Sequence, residues 1–517
     1  MAEPRDNDEE FEPDAPEQSI PEPGRRRRFA LLSLRLGAGA VGLVAAAATV
    51  GAVGLAPFPT IGVTPPSVTV TPVPADQLRT CAGAAMRLGD ETGANADTPA
   101  AVGVPAVRAD SLNTSLERSA IATSDAGNGG DSSAPTVLRI ASGDGVLVAG
   151  AQSQSVDVKD FRGYAAAACA EPSGSIWLAG GATTVGRTTI LTISNPTAVT
   201  ALVGIQIFGE QGEVEAPGMT GIEIQPGSQT VLSLAGFAPG VLSPVVHVEA
   251  RGGQVVAYLQ QSIVRGLDAV GLDIVDAAPD PATELTFPGV QIFDSVSTNR
   301  ALSLDDWDDV APAVRILNPG TEPTEVTVSV TPIDPDLVGT SFPVQAEPGM
   351  VTEVALDSGA EVDSGVALAD GAYTVTMSST QPVVAGVRVS AAGDIGAIET
   401  AGIIPSPPSD FAWYAAAPQL TGNTLVTIAP GPSPVVVAVN PTSADVSLVL
   451  DARRGDDITV VVPAGGAAST PVIEGETYVL TDAAGLFASV SYAADDAMAS
   501  YPVTASRPVS GSIVIRP

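Results

Sequence analysis

The 517-residue sequence has few of the side chains on which most protein chemistry depends. It contains one histidine, His247, one lysine, Lys159, and two cysteines, Cys81 and Cys169. A single histidine excludes a multi-histidine metal site and limits any serine–histidine triad to His247. Two cysteines exclude a zinc ribbon and a disulfide-dense scaffold. The 23 Lys and Arg stand against 58 Asp and Glu, for a net charge of −35. This balance argues against nucleic-acid binding, because neutralising phosphates needs clustered cations.

A long uncharged run lies near the N-terminus. Residues 36–56 contain no charge, and about 20 apolar residues span a bilayer as a helix. Four consecutive arginines precede the run: Arg25, Arg26, Arg27 and Arg28. The positive-inside bias therefore predicts a single-pass protein of the cell membrane, with a cytoplasmic N-terminus and the bulk of the chain extracellular. A cleaved signal peptide is the alternative. The length of the run and Pro57, which would begin the mature chain, favour an uncleaved anchor.

The segments beside this run differ in composition. Residues 1–35 form an acidic tail with the arginine cluster, and their composition predicts disorder. Residues 57–75 are dense in Pro, Thr and Val, which favours an extended stalk. Residues 76–172 follow as an N-terminal extracellular module bracketed by Cys81 and Cys169. Outside the cytoplasm two cysteines most often pair, and closing this loop is expected to stabilise the fold by about 4 kcal/mol. Two buried free thiols are the alternative.

An internal repeat is the most informative feature of the remaining chain. Three apolar runs end in an Asn-Pro pair, and the pairs recur at spacings of 123 and 122 residues. Apolar residues fall at even offsets on both sides of each Asn, which is the period of a β-strand. Asn accepts a downstream backbone N–H and Pro presets φ, so each pair is predicted to form a corner between strands. The pairs are Asn195-Pro196, Asn318-Pro319 and Asn440-Pro441.

Such self-similarity indicates duplicated modules. Many short alternating strands, with about 110–120 residues in each repeat, indicate β-sandwiches of immunoglobulin size. We therefore predict an all-β protein in which tandem immunoglobulin-like sandwiches follow a single N-terminal transmembrane helix. The repeats are expected at residues 173–285, 286–404 and 405–517, arranged as an extended row.

Candidate catalytic and ligand-binding residues are few. His247 lies in a predicted strand, and no nucleophile or carboxylate frames it in the sequence, so we interpret it as a strand residue rather than a base. The densest acidic cluster surrounds Trp307 and consists of Asp305, Asp306, Asp308 and Asp309. Carboxylates beside an aromatic ring suit sugar or Ca²⁺, and a solvated loop between strands is the alternative, which we favour.

Each Asn-Pro corner is preceded by one tryptophan: Trp177, Trp307 and Trp413. An aromatic platform for glycan stacking is one interpretation of these rings. We favour packing in a core or between domains, because a large ring buries much area there.

Several stretches carry a resemblance to a known family. They are AAACAEPSGSIWLAGG around Cys169, GRTTILTISNP, and APGVLSPVVHVEARGGQVVAYLQQ. Together with the Arg-flanked helix, they resemble an uncharacterised, membrane-anchored family of extracellular proteins found in actinobacteria. The resemblance is best between Cys169 and Val264 and implies a location in the cell envelope. That family has no assigned catalytic residues, so none is carried over to this chain.

The stalk, the repeats and the missing catalytic framing predict a non-catalytic, membrane-anchored extracellular protein of the cell envelope. It would be a scaffold, a spacer or a binding protein without a cofactor. Apart from the membrane, its expected partners are cell-wall glycan or envelope proteins. The alternative is an envelope glycan-processing enzyme, or an enzyme accessory, that uses Asp and Glu. Such an enzyme needs two carboxylates about 5–10 Å apart in a concave site.

Overall fold

The computed structural model of the chain describes residues 68–70, 76–89, 99–123, 133–141, 143, 145–158, 161–304, 307–358, 368–393, 409–505 and 513–515. Strands dominate these residues, so the predicted all-β class is confirmed. The acidic tail, the four arginines, the predicted transmembrane helix and most of the stalk lie outside the described residues. Within the described part, no helix is both long and apolar enough to cross a membrane.

The strands are numbered in chain order. The first is β1 (Val68–Val70). The N-terminal module contains β2 (Gln77–Thr80), β3 (Ala85–Leu88), β4 (Pro99–Val102), β5 (Ala106–Leu112), β6 (Glu117–Ala120), β7 (Ala122–Thr123), β8 (Thr136–Ile140), β9 (Leu147–Val158) and β10 (Phe161–Ala168).

Repeat 1 contains β11 (Ser175–Ala179), β12 (Arg187–Asn195), β13 (Ala201–Gly209), β14 (Gly212–Val214), β15 (Ile222–Ile224), β16 (Ser228–Ser233), β17 (Val245–Gly252), β18 (Val256–Arg265) and β19 (Asp268–Val275), with a 3₁₀ turn at Leu234–Gly236.

Repeat 2 contains β20 (Ala282–Ile292), the short helix α1 (Ser295–Ala301), a 3₁₀ turn at Asp308–Val310, β21 (Ala313–Leu317), β22 (Thr324–Pro332), β23 (Thr340–Ala346), β24 (Val351–Ala355), β25 (Gly371–Ala391) and β26 (Asp410–Ala415).

Repeat 3 contains β27 (Thr424–Thr427), β28 (Val435–Val439), β29 (Val446–Ala452), β30 (Ile458–Val462), β31 (Ala467–Pro471), β32 (Thr477–Thr481), β33 (Phe487–Ala494) and β34 (Ala497–Pro502). The last strand, β35 (Ile513–Ile515), pairs antiparallel with β1 in a separate small unit.

The three repeats share one strand order. In repeat 3, one sheet is ordered β27-β32-β29-β30 and the other β31-β28-β33-β34. Repeat 1 has the order β11-β17-β13, with β14 and β15 both paired to β13, and a second sheet ordered β16-β12-β18-β19. In repeat 2, the long strand β25 serves both sheets, first between β20 and β22 and then between β21 and β26. Strand β26 lies beyond residue 404, where repeat 2 was expected to end. In each repeat, residues of both sheets pack into a common apolar core.

The N-terminal module has a shortened version of the same order. Its sheets are β2-β8-β6 and β5-β9-β10, which correspond to a repeat without its fourth and fifth strands. A disulfide joins Cys81, just after β2, to Cys169, just after β10, so the predicted pairing is confirmed. It links the two sheets of the module at one end.

The Asn-Pro pairs lie at the same corner of each repeat, and the three Asn side chains make equivalent hydrogen bonds. Asn440 is fully buried and accepts the backbone N–H of Thr442, 3.0 Å away. Its amide donates to the carbonyls of Ala444 and Val462. Asn195 and Asn318 are also fully buried, and each accepts one backbone N–H two residues on and donates to two carbonyls. The side chain therefore joins the strand before the corner to the strands after it.

The last strands of the four modules meet in the middle of the unit formed by residues 71–511. Strand β10 contacts β19, β19 contacts β26, β26 contacts β34, and β34 contacts β10. This circuit is closed, so the expected extended row is wrong for the described residues. The reason is that these four strands are buried on both faces, so each needs a neighbouring module to cover its outer face.

We predict that Asn440→Ala lowers the free energy of unfolding by about 1–3 kcal/mol, because it leaves buried backbone groups without partners. Urea unfolding of the purified chain measures this loss. Thr442→Ala removes a hydroxyl that donates to Asn440 Oδ1 but leaves the buried amide and its three backbone partners in place, so it should cost less than about 1 kcal/mol. Equal losses in the two variants would contradict the role given to the buried amide.

Candidate functional site

The four central strands are packed unusually closely. Their burial is nearly continuous, whereas the outer strand β22 alternates between buried and exposed positions. Small residues allow the approach. A Cβ at Gly163, where φ is 147°, would lie 2.3 Å from the backbone nitrogen of Leu272. A Cβ at Gly271 would lie 2.5 Å from the ring of Phe411. Glycine is therefore required at these two crossings.

The carboxylate of Asp410 ties the four strands together. Asp410 begins β26 and is 2% exposed. Its Oδ2 accepts the backbone N–H of Tyr164 in β10 at 2.9 Å and that of Met498 in β34 at 3.2 Å. Its Oδ1 accepts the backbone N–H of Leu272 in β19 at 3.1 Å. One side chain thus contacts the last strand of every other module. Burial raises the pKa of Asp410 well above its ordinary value, although the backbone hydrogen bonds oppose this effect.

A cleft opens where these four strands end. Its cavity volume is about 450 Å³. The segment that follows each central strand contributes to the wall, so all four modules share the cleft. Its lining lies within residues 168–176, 276–280, 416–421 and 502–505, together with Arg79, Val256 and Ala257.

Three of these segments repeat a short sequence pattern. Each has Ala, any residue and Pro, followed by a polar residue: Ala170-Glu171-Pro172-Ser173, Ala277-Ala278-Pro279-Asp280 and Ala416-Ala417-Pro418-Gln419. Proline lacks the N–H that a ladder requires, which suits a position just after a central strand. This pattern lies in three of the four segments that line the cleft, and no prediction from the sequence included it.

Three of the four charged side chains in the cleft lining are acidic: Glu171, Asp276 and Asp280. Arg79 is 4% exposed and donates to Thr504 and to the carbonyl of Ala505, and its guanidinium lies 3.8 Å from Glu171. Asp276 is 5% exposed, and its Oδ2 has no hydrogen-bond partner among the described residues. Burial raises the pKa of Asp276 well above its ordinary value. Asp280 is exposed in the same wall. None of these residues was among the candidates predicted from the sequence.

His247 lies beside the cleft, in a polar row on one sheet of repeat 1. Its Nδ1 is 3.1 Å from Gln206 Oε1, its Nε2 is 3.0 Å from Ser175 Oγ, and its ring stacks on Trp177 at 3.9 Å. Burial lowers the pKa of His247, although Glu249 and Asp280 oppose this shift. The partner of Nδ1 is the neutral amide of Gln206, whereas a catalytic triad has a carboxylate at this position. This arrangement fits a packed strand histidine.

A family model described as a family of unknown function (DUF5719) matches residues 125–472. The chain belongs to this family. The match includes the three Asn-Pro corners, Asp410 and the cleft segments from 168 to 421. No curated protein matches the chain.

Two solved structures have a limited similarity to this family member. The crystal structure of Thermotoga maritima 1070 has 17% sequence identity, over 21% of this chain and 81% of that chain, with a TM-score of 0.16. The X-ray structure of the entire lipid-containing bacteriophage PM2 has 11% identity, over 64% of this chain and 86% of that chain, with a TM-score of 0.07. Both scores are too low to indicate a shared fold.

The described part of the acidic cluster, Trp307–Asp309, joins repeats 1 and 2 and is not part of the cleft lining. Asp309 accepts Arg187 at 2.9 Å and Arg265 at 2.5 Å, and the Arg265 guanidinium lies 4.5 Å above the Trp307 ring. Burial alone would raise the pKa of Asp309, but these two arginines outweigh it and lower the pKa. Asp305 and Asp306 lie outside the described residues. Within the described part of the chain, no group of three His, Cys, Asp or Glu is placed to hold a metal.

A second ion cluster fixes the same pair of repeats. Arg315 of β21 is fully buried and donates to the carbonyls of Gly181 and Pro244 in repeat 1. Its guanidinium is 2.7 Å from Glu353 and 4.5 Å above the Trp413 ring. Trp413 and Trp177 are 1% and 7% exposed, which agrees with packing rather than a sugar platform.

Glu353 should make this interface sensitive to acid. Burial raises its pKa, but Arg388 and Arg315 outweigh burial and lower the pKa from 4.5 to about 2. Between these values the unfolded chain binds more protons, so stability rises with pH and is lost as pH falls.

We therefore predict that the difference in unfolding free energy between the native chain and Glu353→Gln shrinks by about 3 kcal/mol from about pH 5 to about pH 2. Chemical unfolding at each pH measures it. Exposed Glu325→Gln, on β22 of the same repeat, is the control and should leave the pH dependence unchanged. Parallel pH curves for the native chain and Glu353→Gln would contradict the assignment.

For the central carboxylate, we expect Asp410→Ala to destabilise the fold by at least about 3 kcal/mol, since it leaves three buried backbone donors without an acceptor. Thermal and urea unfolding measure the loss. Asp268→Ala, at the exposed start of β19, removes the same charge away from the centre and should have little effect. A loss below about 1 kcal/mol for Asp410→Ala would refute the central role of its carboxylate.

Proposed function

We propose that the protein is a membrane-anchored, non-catalytic scaffold of an actinobacterial cell envelope. In this proposal, its immunoglobulin-like repeats hold one ligand-binding cleft outside the cell. The observation that carries the proposal is the cleft built jointly by four modules that Asp410 joins. Clefts of a few hundred Å³ at module boundaries are the usual places for ligands.

The proposed location rests on two features. The Cys81–Cys169 disulfide favours an oxidising compartment, where such bonds persist. The uncharged run at 36–56 with its N-terminal arginines favours a single membrane anchor with the repeats outside.

A photo-crosslinking experiment in intact cells tests the proposal. A crosslinking amino acid at Thr421, in the exposed cleft wall, should give a discrete adduct with an envelope component. The same amino acid at Val461, which is 58% exposed and distant in sequence from the lining segments, is the control. The chain should fractionate with membranes, be cut by protease added outside the cell, and keep its disulfide.

Recovery of the chain in the cytosol with free thiols would exclude the proposed location. Identical adducts from Thr421 and Val461 would exclude the cleft as the binding site.

The second candidate is the processing of an envelope glycan. It is favoured by one observation, that Glu171, Asp276 and Asp280 share the cleft wall. The full chain, incubated with isolated envelope glycan, would then release new reducing ends, and Asp276→Asn would abolish the release. Identical glycan before and after incubation would exclude this candidate.

A further inference from the structure

The cleft has an excess of negative charge that its own cation does not balance. Among the lining residues, Glu171, Asp276 and Asp280 are acidic and only Arg79 is basic. Arg79 already donates to repeat 3 and faces Glu171. Within the described residues, neither Asp276 nor Asp280 forms an ion pair. A cationic ligand would therefore meet two carboxylates without a competing salt bridge.

Asp276 is the most buried of the three acidic side chains that line the cleft. It is 5% exposed in the cleft wall, and its carboxylate accepts one backbone hydrogen bond, from Ala168. Its other oxygen, Oδ2, has no partner among the described residues. A buried polar atom without a partner is costly, and a carboxylate is the most costly case. A cationic donor that reached Oδ2 from the cleft, by a shift of the wall that covers this oxygen, would remove that cost and favour the ionised form of the carboxyl group.

The remaining wall suits an aliphatic chain. It includes Ile176, Val256, Pro279, Pro418 and Pro502. No aromatic ring belongs to the lining among the described residues, whereas sugar faces commonly stack on such rings. An unbranched alkyl stem packs well on an aliphatic wall while its charged end reaches a polar group, as lysine side chains do. The cavity is large enough for such a side chain together with the peptide backbone that carries it.

We propose that the cleft binds the primary ammonium group of a lysine-type side chain in a peptide, with Asp276 as its counter-ion and Asp280 at the rim. The inference rests on the proposed function, because it names the ligand class of the same cleft. An ammonium group has three N–H donors, and the carboxylates of Asp276 and Asp280 would supply acceptors for them.

Calorimetric titration of the purified full-length chain tests this inference. The probe is Nα-acetyl-lysine methylamide. The comparison probes are the norleucine analogue, which lacks the amine, and glucosamine, which carries an ammonium on a sugar. We expect the lysine probe to bind at least about tenfold more tightly than either, as a buried charged hydrogen bond requires.

The variants are chosen so that the fold survives. Asp276→Asn keeps the shape and removes the charge, so it should leave the melting temperature unchanged or higher and weaken the lysine probe at least about tenfold. Asp268→Asn, at the start of β19, the strand that Asp276 follows, should leave binding unchanged. Equal binding of the norleucine analogue, tighter binding of glucosamine, or native affinity in Asp276→Asn would each overturn the inference.

Failure of this ligand assignment can be distinguished from failure of the proposed function. If the Thr421 crosslink captures an envelope component while the lysine probe fails, the ligand class is wrong and the scaffold proposal stands. If the Thr421 crosslink is indistinguishable from the Val461 control, the binding cleft itself is wrong.

Discussion

The carboxylate of Asp410 is the constraint on which the arrangement of modules depends. Three other modules each present one backbone N–H to it, and a buried N–H needs an acceptor. A carboxylate has two oxygens with several lone pairs, so it can accept from all three at once, which an amide oxygen could do only partly. The desolvation that raises the pKa of Asp410 is the unfavourable side of this choice. The backbone bonds offset it because they stabilise the charged form.

Some of this architecture is readable in the sequence because its interactions are local. Asn440 bonds residues two and four positions ahead, and the same bonds recur at Asn195 and Asn318, so the corner produces a repeated pattern. The partners of Asp410 are 246, 138 and 88 residues away in the chain, and no short pattern encodes such contacts. For the same reason, the closed circuit and the shared cleft were not predicted, and an extended row was expected instead.

The central strands lack the alternating pattern by which strands are usually predicted from sequence. Alternation of apolar and polar residues indicates a strand with one face exposed to solvent, and the outer strand β22 has this alternation. Strands β10 and β34 are covered on both faces, and β10 contains a run of alanines at Ala165–Ala168 that resembles no standard strand pattern. The N-terminal module was therefore treated as different in kind, although its strands have the same order as those of the repeats.

Two arginines of the described residues, Arg315 and Arg265, join repeats 1 and 2. Arg315 donates to Glu353 and to three carbonyls of repeat 1, and its guanidinium lies over the Trp413 ring. An ammonium could not combine these contacts, because it lacks a planar, stacking surface with a fork of donors. Arg265 has a similar double role between Asp309 and Trp307. The joint between repeats 1 and 2 thus depends on guanidinium chemistry, consistent with a chain that has only one lysine.

The contact between β10 and β34 has a consequence for how the protein is made. These strands belong to the first and last of the four modules, so the circuit cannot close until the ribosome has passed Pro502. Until then the outer face of β10 is uncovered. The backbone N–H of Tyr164 also lacks its acceptor until Asp410, 246 residues further along the chain, has been translated. A newly made chain that emerged on the far side of a membrane would have to shield this apolar surface during export. We therefore expect its biogenesis to depend on folding helpers more than that of four independent sandwiches would.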